Sequence, residues 1–268
     1  IAKYRAARRI WARWLKERYG AKDESSMLLR FHTQTAGVSL TAQQPMNNVV
    51  RTAIEALAAV LGGTQSLHTN ALDEVLALPT EEAAKLALRT QQIIAHETGV
   101  PDVIDPLGGS YFLETLTDRM EELAEAEFAR ILAMGEGSML EGVLTGIERG
   151  VFQQAIAESA FGEQERFERG DLVKVGVTDH VDTIDQPVEI LEISHEIEPL
   201  QIARVREVRE RRDAPAARAA LARLEGLAAT DANLVEPLVD CARALCTEGE
   251  IVDALRRVFG SYTETPRF

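Results

Sequence analysis

Cysteine is scarce. The 268 residues hold two, Cys241 and Cys246, in a stretch that reads as helix, where five-residue spacing points them in different directions rather than into a bridge. A disulfide scaffold is excluded and a reducing cytoplasm expected. Basic charge is also short: 29 Lys and Arg against 43 Asp and Glu give a net −14, a field that repels phosphate backbones and acidic membrane surfaces. Nucleic acid and membrane surfaces are therefore not expected partners. No uncharged apolar run approaches the ~20 residues of a membrane span, and no apolar leader segment follows the opening Ile1. A first residue other than Met suggests a chain cut from something longer. Phosphate-loop patterns are missing as well. Gly37 and Gly62-Gly63 fit neither G-x-G-x-x-G nor a loop ending in GK[ST], so they are read as turn and cap residues. Gly108-Gly109 after Asp105-Pro106 is read first as a turn.

What is present is a hydrophobic fraction of 46%, enough for a sizeable core in one large or two ordinary domains. Tyr4, Trp11, Trp14 and Leu15, with arginines between them and Gly20 beyond, predict an amphipathic helix. Met27 to Thr33 is short and apolar and predicts a buried strand. Asn47 or Asn48 can cap the next helix, whose apolar stripe is Val50, Ile54, Leu57 and Leu61. A second strand is expected over Gln65 to Thr69. Pro79-Thr80-Glu81-Glu82 then starts a helix that carries Ala84, Leu86, Leu88, Ile93 and Ile94 as far as Gly99. This alternation is that of a parallel α/β fold with right-handed crossovers. A complete (β/α)8 barrel takes roughly 250 residues, so two strands make either a small open sheet or part of a barrel.

The composition shifts near Asp105. Tyr111 to Arg169 reads as helical and peripheral, with helices over Thr117 to Met134 and from Met139. Two β-like runs, Leu172 to Val177 and Val188 to Ile193, flank a loop holding Asp179, Asp182 and Asp185. From Pro199 the chain is helical again. Its arginines, Arg204 to Arg212, are interspersed with Glu207 and Glu210 and read as a solvated face. The resulting division is residues 1–104 with βα character and residues 105–268 mainly helical, with a short β pair.

Chemistry concentrates at the strand ends. His32 and Gln34 are two apart, so an extended chain presents both on one face. Two readings stand: a pair addressing a ligand at the C-terminal mouth of a barrel, or a pair satisfied by each other and by loop backbone. His68 and Asn70 repeat the arrangement and Glu74 follows. His32, His68 and Glu74 contain the residue types of a two-histidine, one-carboxylate metal site, yet lack its short-range ligand spacings. Alternatively Glu74 accepts from two vicinal hydroxyls and Asn70 adds one bond, which suits a ribose. His96, His180 and His195 stand alone and read as solvated or packed.

Arg30-Phe31-His32-Thr33-Gln34-Thr35-Ala36-Gly37-Val38-Ser39-Leu40-Thr41-Ala42-Gln43, together with Thr64-Gln65-Ser66-Leu67-His68-Thr69-Asn70-Ala71-Leu72-Asp73-Glu74, closely resembles the adenosylcobalamin-dependent acyl-CoA mutases of the methylmalonyl-CoA mutase family. The resemblance extends through Asp105-Pro106-Leu107-Gly108-Gly109-Ser110 to Val258-Phe259-Gly260-Ser261-Tyr262. It implies the C-terminal portion of a TIM-type (β/α)8 substrate barrel followed by a helical region, and a radical isomerase acting on an acyl-CoA. By this resemblance His32 and Gln34 are catalytic and, with Gln65, substrate-binding. Asn70 and Glu74 hold the adenosyl group of adenosylcobalamin, and Gly37 and Ala77 lie against the corrin. No metal ligand is assigned. The implied partners are the rest of the barrel and a cobalamin-binding domain or small subunit, because the D-x-H-x-x-G signature that supplies the cobalt ligand is absent. Val38 stands where methylmalonyl-CoA mutases usually have tryptophan, which leans toward an isobutyryl-CoA or 2-hydroxyisobutyryl-CoA type of mutase. The competing expectations are a non-catalytic helical assembly module of such an enzyme and a metal-dependent barrel hydrolase.

Overall fold

The computed structural model describes residues 1–181 and 188–263. Two compact units divide the chain, Ile1–Leu191 and the segment from Glu192 onward.

The first unit begins with α1 (Ala2–Glu17), which Gly20 leaves in the left-handed conformation. A single turn, α2 (Glu24–Met27), follows, capped by the Asp23 carboxylate. The buried strand expected from Met27 is therefore shorter and later. β1 is His32–Gln34, because the Asp23 cap draws Met27 into a helical turn and leaves Leu28 exposed. After a single 3-10 turn, Gly37–Ser39, comes α3 (Asn47–Leu61). β2 is Ser66–His68 and α4 is Glu81–Glu97, capped by Thr80 as its start signal predicts and followed by the left-handed Gly99. β1 and β2 pair in parallel, His32 opposite Ser66, Thr33 opposite Leu67 and Gln34 opposite His68. The α/β order is thus present, with a two-stranded sheet among the described residues.

The packing of α3 and α4 differs from the expected stripes. On α3, Val50 and Ile54 are 59% and 64% exposed while Asn48, Thr52, Ala56 and Ala59 are buried. On α4, Leu86, Leu88 and Ile93 are exposed and Ala83, Ala87, Thr90 and Ile94 are buried. On these two helices small and polar residues, joined by Ile94, make the close contacts, and many of the large aliphatics lie open.

α5 (Tyr111–Met134) starts earlier than its acidic stretch suggests, because the Ser110 hydroxyl accepts from the Leu113 amide and caps the helix. It runs along α1. Arg5, Arg9 and Arg13, four apart on one face of α1, meet Asp105, Glu114, Asp118, Glu121 and Glu125. Arg5 is the buried member, bidentate to Asp105 and bonded to Glu114 and the Thr117 hydroxyl. α6 (Met139–Glu148) and α7 (Val151–Glu168) complete the helical stretch. The β pair expected after it does not form. Leu172 to Val177 contributes one bridge, Val175 to Asp179, closed by the Gly176 amide on the Asp179 carbonyl, and Val188 to Ile193 is not strand. Asp182 and Asp185 lie outside the described residues.

Glu114 provides a test of the α1–α5 contact. Hydrogen bonds from Arg5 and from the Gly109 amide lower its carboxyl from 4.5 to about 2. A depressed carboxyl contributes stability that is fully present above its unfolded value and lost as pH falls through the folded one. The melting-temperature gap between the protein and Glu114→Gln should be widest above pH 5 and close between about 4.5 and 2. A gap that stays constant with pH would show that Glu114 acts by shape rather than by charge.

The second unit contains α8 (Ile197–Arg211), α9 (Ala214–Ala228), α10 (Val235–Arg243) and α11 (Glu248–Phe259). Leu224, Cys241 and Ala254 form its core, with Leu221, Leu238 and Ile251 packed around them. α11 begins with a capping box of Thr247 and Glu250, and Arg212 grips the same Glu250 carboxylate with two 2.6 Å bonds. The cysteines do not share one helix as expected. α10 ends at Arg243, Leu245 turns the chain through positive φ, and Cys246 returns to the core that holds Cys241, both as free thiols.

Candidate functional site

The parallel register sets His32, Gln34, Ser66 and His68 on one exposed face of the sheet while Thr33 turns inward. Ser66 Oγ lies 2.7 Å from His32 Nδ1, which leaves Nε2 for a ligand. Gln65, in contrast, spends both ends of its amide on backbone: Oε1 accepts from the Phe31 N–H and Nε2 donates to the Gly63 carbonyl. It braces the entry to both strands.

Beyond the strands the chain turns Asn70 inward until it is 2% exposed. Its Oδ1 accepts from Thr35 Oγ1 at 3.0 Å and from Gln34 Nε2 at 3.5 Å, while the Thr35 hydroxyl accepts from the Asn70 N–H at 2.9 Å. With Oδ1 bonded in this way, the other end of the amide, Nδ2, is the one left over. Nδ2 is buried and has no partner among the described residues. It faces Gly37. A Cβ on Gly37 would lie 3.1 Å from Asn70 Nδ2 and 4.0 Å from Glu74 Cγ, so close approach, rather than a turn conformation, calls for glycine here. Glu74 sits in the exposed turn after Asn70, its carboxylate without a hydrogen-bond partner among the described residues, and Ala77 closes that turn with its amide on the Asp73 carbonyl. A buried amide donor, a carboxylate and a glycine gap thus share one mouth of the sheet. The metal reading gains no support: among the described residues no three His, Cys, Asp or Glu side chains gather to hold an ion.

Two loops carry these groups, and α3 ties them together. Asn48 is fully buried. Its Oδ1 accepts from the Thr41 N–H, and its Nδ2 donates to the Thr41 and Leu72 carbonyls. The expected cap role for Asn47 or Asn48 is not realised, since Met46 holds the cap position and Asn47 donates to Gln44. Glu55, two turns further along α3, accepts from the Ala36 amide at 2.7 Å. The motifs give Ser66 and Thr35 no role of their own, Asn48 only that of a cap, and Glu55 none. Only Ser66 was legible in principle, being the residue that faces His32 once the two strands are paired in parallel.

Residues 1–261 match the family model for methylmalonyl-CoA mutase. The chain belongs to the methylmalonyl-CoA mutase family. It is 45% identical over 270 residues to the 2-hydroxyisobutanoyl-CoA mutase large subunit of Aquincola tertiaricarbonis, covering 100% of this chain and 47% of that protein. It is 44% identical over 267 residues to a methylmalonyl-CoA mutase of Rhizobium meliloti, covering 99% of this chain and 36% of that protein. The mitochondrial methylmalonyl-CoA mutase of Homo sapiens is 44% identical over 269 residues, covering 100% and 35%. The chain therefore spans about half, or less, of the length of these relatives. In family terms the mouth of the sheet is built from the two stretches that carry the resemblance, Arg30 to Gln43 and Thr64 to Glu74.

Proposed function

We propose that this chain is the last βα portion of the (β/α)8 substrate barrel, residues 1–104, with the helical region that follows it, residues 105–268, in an adenosylcobalamin-dependent mutase that rearranges the carbon skeleton of a short-chain acyl-CoA. The buried, unpartnered Asn70 Nδ2 facing the Gly37 gap beside Glu74 carries this reading. A buried amide donor without a partner costs about 1–3 kcal/mol, and a ligand oxygen offered at that point removes the cost.

The chemistry of the donor set fits a nucleoside sugar. Glu74 can accept from two vicinal hydroxyls while Asn70 Nδ2 donates to an oxygen. Gly37 and the half-buried Ala77 present little more than backbone, as a flat macrocycle requires. When bound, adenosylcobalamin supplies the homolytic chemistry that begins a radical rearrangement. The protein side of the work is polar and positional. In the tautomer in which Nδ1 accepts from Ser66 Oγ, His32 Nε2 bears the proton and can donate to a thioester carbonyl. Gln34 offers a second donor on the same face, and Gln65 braces both strands on the substrate side. Donors of this kind stabilise charge on a carbonyl oxygen without acid catalysis. The relative named for 2-hydroxyisobutanoyl-CoA and the presence of Val38 favour a small branched or hydroxylated acyl group. The remaining barrel strands and a cobalamin-binding domain or small subunit complete the enzyme, with the rest of the barrel covering the open aliphatic faces of α3 and α4. Two free thiols suit a reducing compartment such as the cytoplasm.

Isothermal titration of the complete enzyme with adenosylcobalamin tests the reading. Gly37→Val drives a branched side chain into the Asn70 amide and should weaken binding at least about tenfold, the equivalent of ~1.4 kcal/mol. Equal affinity of Gly37→Val and the parent would refute the placement of the cofactor.

A further inference from the structure

From the geometry we infer that the loop Val173–His180 is a strap that holds the Gly37–Ser39 turn in place, with Lys174 as a positioning residue for the Asn70–Glu74 mouth. This rests on the proposed function for what the mouth binds, but not for what the strap does to the turn.

Three polar clasps join the loop to the segment around α3 across more than 120 residues of sequence. Lys174 Nζ donates to the Val38 carbonyl at 3.2 Å. Arg51 Nη2 donates to the Val175 carbonyl at 2.7 Å while its Nη1 holds Thr41 Oγ1 and Asn48 Oδ1. Gln44 Nε2 donates to the His180 carbonyl at 2.9 Å and its Oε1 accepts from Asn47. The loop has a stiff shape of its own: the Thr178 hydroxyl accepts from the Lys174 amide at 2.7 Å, and the Val177 and Thr178 amides return to the Lys174 carbonyl. Gly176, at φ +81, comes so close that a Cβ there would lie 2.9 Å from Gln44 Cδ. Sequence patterning expected a strand here. The chain instead spends its backbone groups on a closed loop and on α3.

The consequence lies at Gly37. From α3 the turn receives Glu55 on the Ala36 amide, before it, and Asn48 on Thr41, after it. Between these the Val38 side chain is 88% exposed, so its carbonyl is the handle on the middle of the turn, and Lys174 holds that handle. A Cβ added at Gly37 would lie 3.1 Å from Asn70 Nδ2, so the turn and the amide have little room between them. A shift of the turn changes how much room the Asn70 donor and the Glu74 carboxylate leave to a ligand, with no change at His32, Gln34 or the sheet.

The experiment combines hydrogen exchange of the apo enzyme with adenosylcobalamin titration, on the complete enzyme and on Lys174→Met, Lys174→Arg and Gly176→Ala. The amides to follow are Ser39 and Leu40, bonded within the turn to Ala36 and Gly37. In Lys174→Met their exchange should speed up about two- to tenfold, and the adenosylcobalamin Kd should rise by a similar factor while the acyl-CoA KM stays put. Lys174→Arg, which keeps a donor, should restore both. Gly176→Ala, which loosens the strap from its own side, should reproduce Lys174→Met. Unchanged exchange in both Lys174→Met and Gly176→Ala overturns the strap. Faster exchange with an unchanged Kd also overturns the inference, leaving the loop a brace without effect on the mouth. If the unaltered enzyme does not take up adenosylcobalamin, the proposed function fails, and the exchange arm still decides whether Lys174 holds the turn.

Discussion

Replacing Glu74 by Gln in the complete enzyme should lower kcat by about ten- to a hundredfold and leave the KM for acyl-CoA within about twofold. Glu74 is exposed, bonded through its backbone to Ala71, and its carboxylate accepts no hydrogen bond from the described residues. The substitution therefore removes charge without breaking a contact that holds the fold. A charge-assisted bond to a hydroxyl is worth about 1.5–3 kcal/mol. At ~1.4 kcal/mol per factor of ten, that is the expected loss if the bond strengthens as the reaction proceeds. The acyl-CoA side is insulated because His32 is held by Ser66 and Gln34 by the parallel register and Asn70, and neither side chain bonds Glu74. Metal content measured on the same samples separates the competing chemistry. Unchanged kcat, or a stoichiometric metal that disappears with the carboxylate, would reject the ribose assignment.

The sequence carried the parts of this site that depend on local pattern. Thr80 announces α4 through the helix-start signal, and the two-residue spacing of His32 and Gln34 puts both on the exposed face. It could not carry what depends on distant partners. Arg5, Arg9 and Arg13 carry no local sign of a partner until Asp105 and four carboxylates of α5 reach them from about a hundred residues away. Val50, Ile54, Leu86 and Leu88 read as core because aliphatic spacing is a one-body signal, whereas here alanine and threonine make the close contacts. The run Leu172 to Val177 has β composition, but no described strand lies beside it to complete a ladder, and its backbone groups are satisfied by Thr178, Arg51 and the loop's own backbone instead. Asn70 shows the limit most clearly. A motif can mark it, yet only the fold shows that one end of its amide is fully bonded and the other free.

Asn48→Leu should be the most destabilising single change near the site, costing about 3–5 kcal/mol. The residue is fully buried, and its amide serves three backbone groups: the Thr41 N–H, the Thr41 carbonyl and the Leu72 carbonyl. Leucine keeps the branched shape and strands all three at about 1–3 kcal/mol each, with entering water recovering part of the loss. For a chain of this size ~1 kcal/mol moves the melting temperature by roughly 2–4 °C, so a fall of about 10 °C is expected. Thr52 on the same helix supplies the control. It is equally buried, at 2%, but its hydroxyl has no partner among the described residues, so Thr52→Val removes an unsatisfied group and should leave the melting temperature level or raise it slightly. Opposite signs at two neighbouring buried positions would place the stability in the hydrogen bonds of Asn48 rather than in helix packing. Equal losses at both would place it in packing. The functional effect follows from geography: Thr41 ends the segment that carries Gly37 and Leu72 begins the turn that carries Glu74. Cutting Asn48 therefore uncouples the two loops, and adenosylcobalamin affinity should fall in Asn48→Leu even at temperatures where the protein remains folded, while Thr52→Val keeps it.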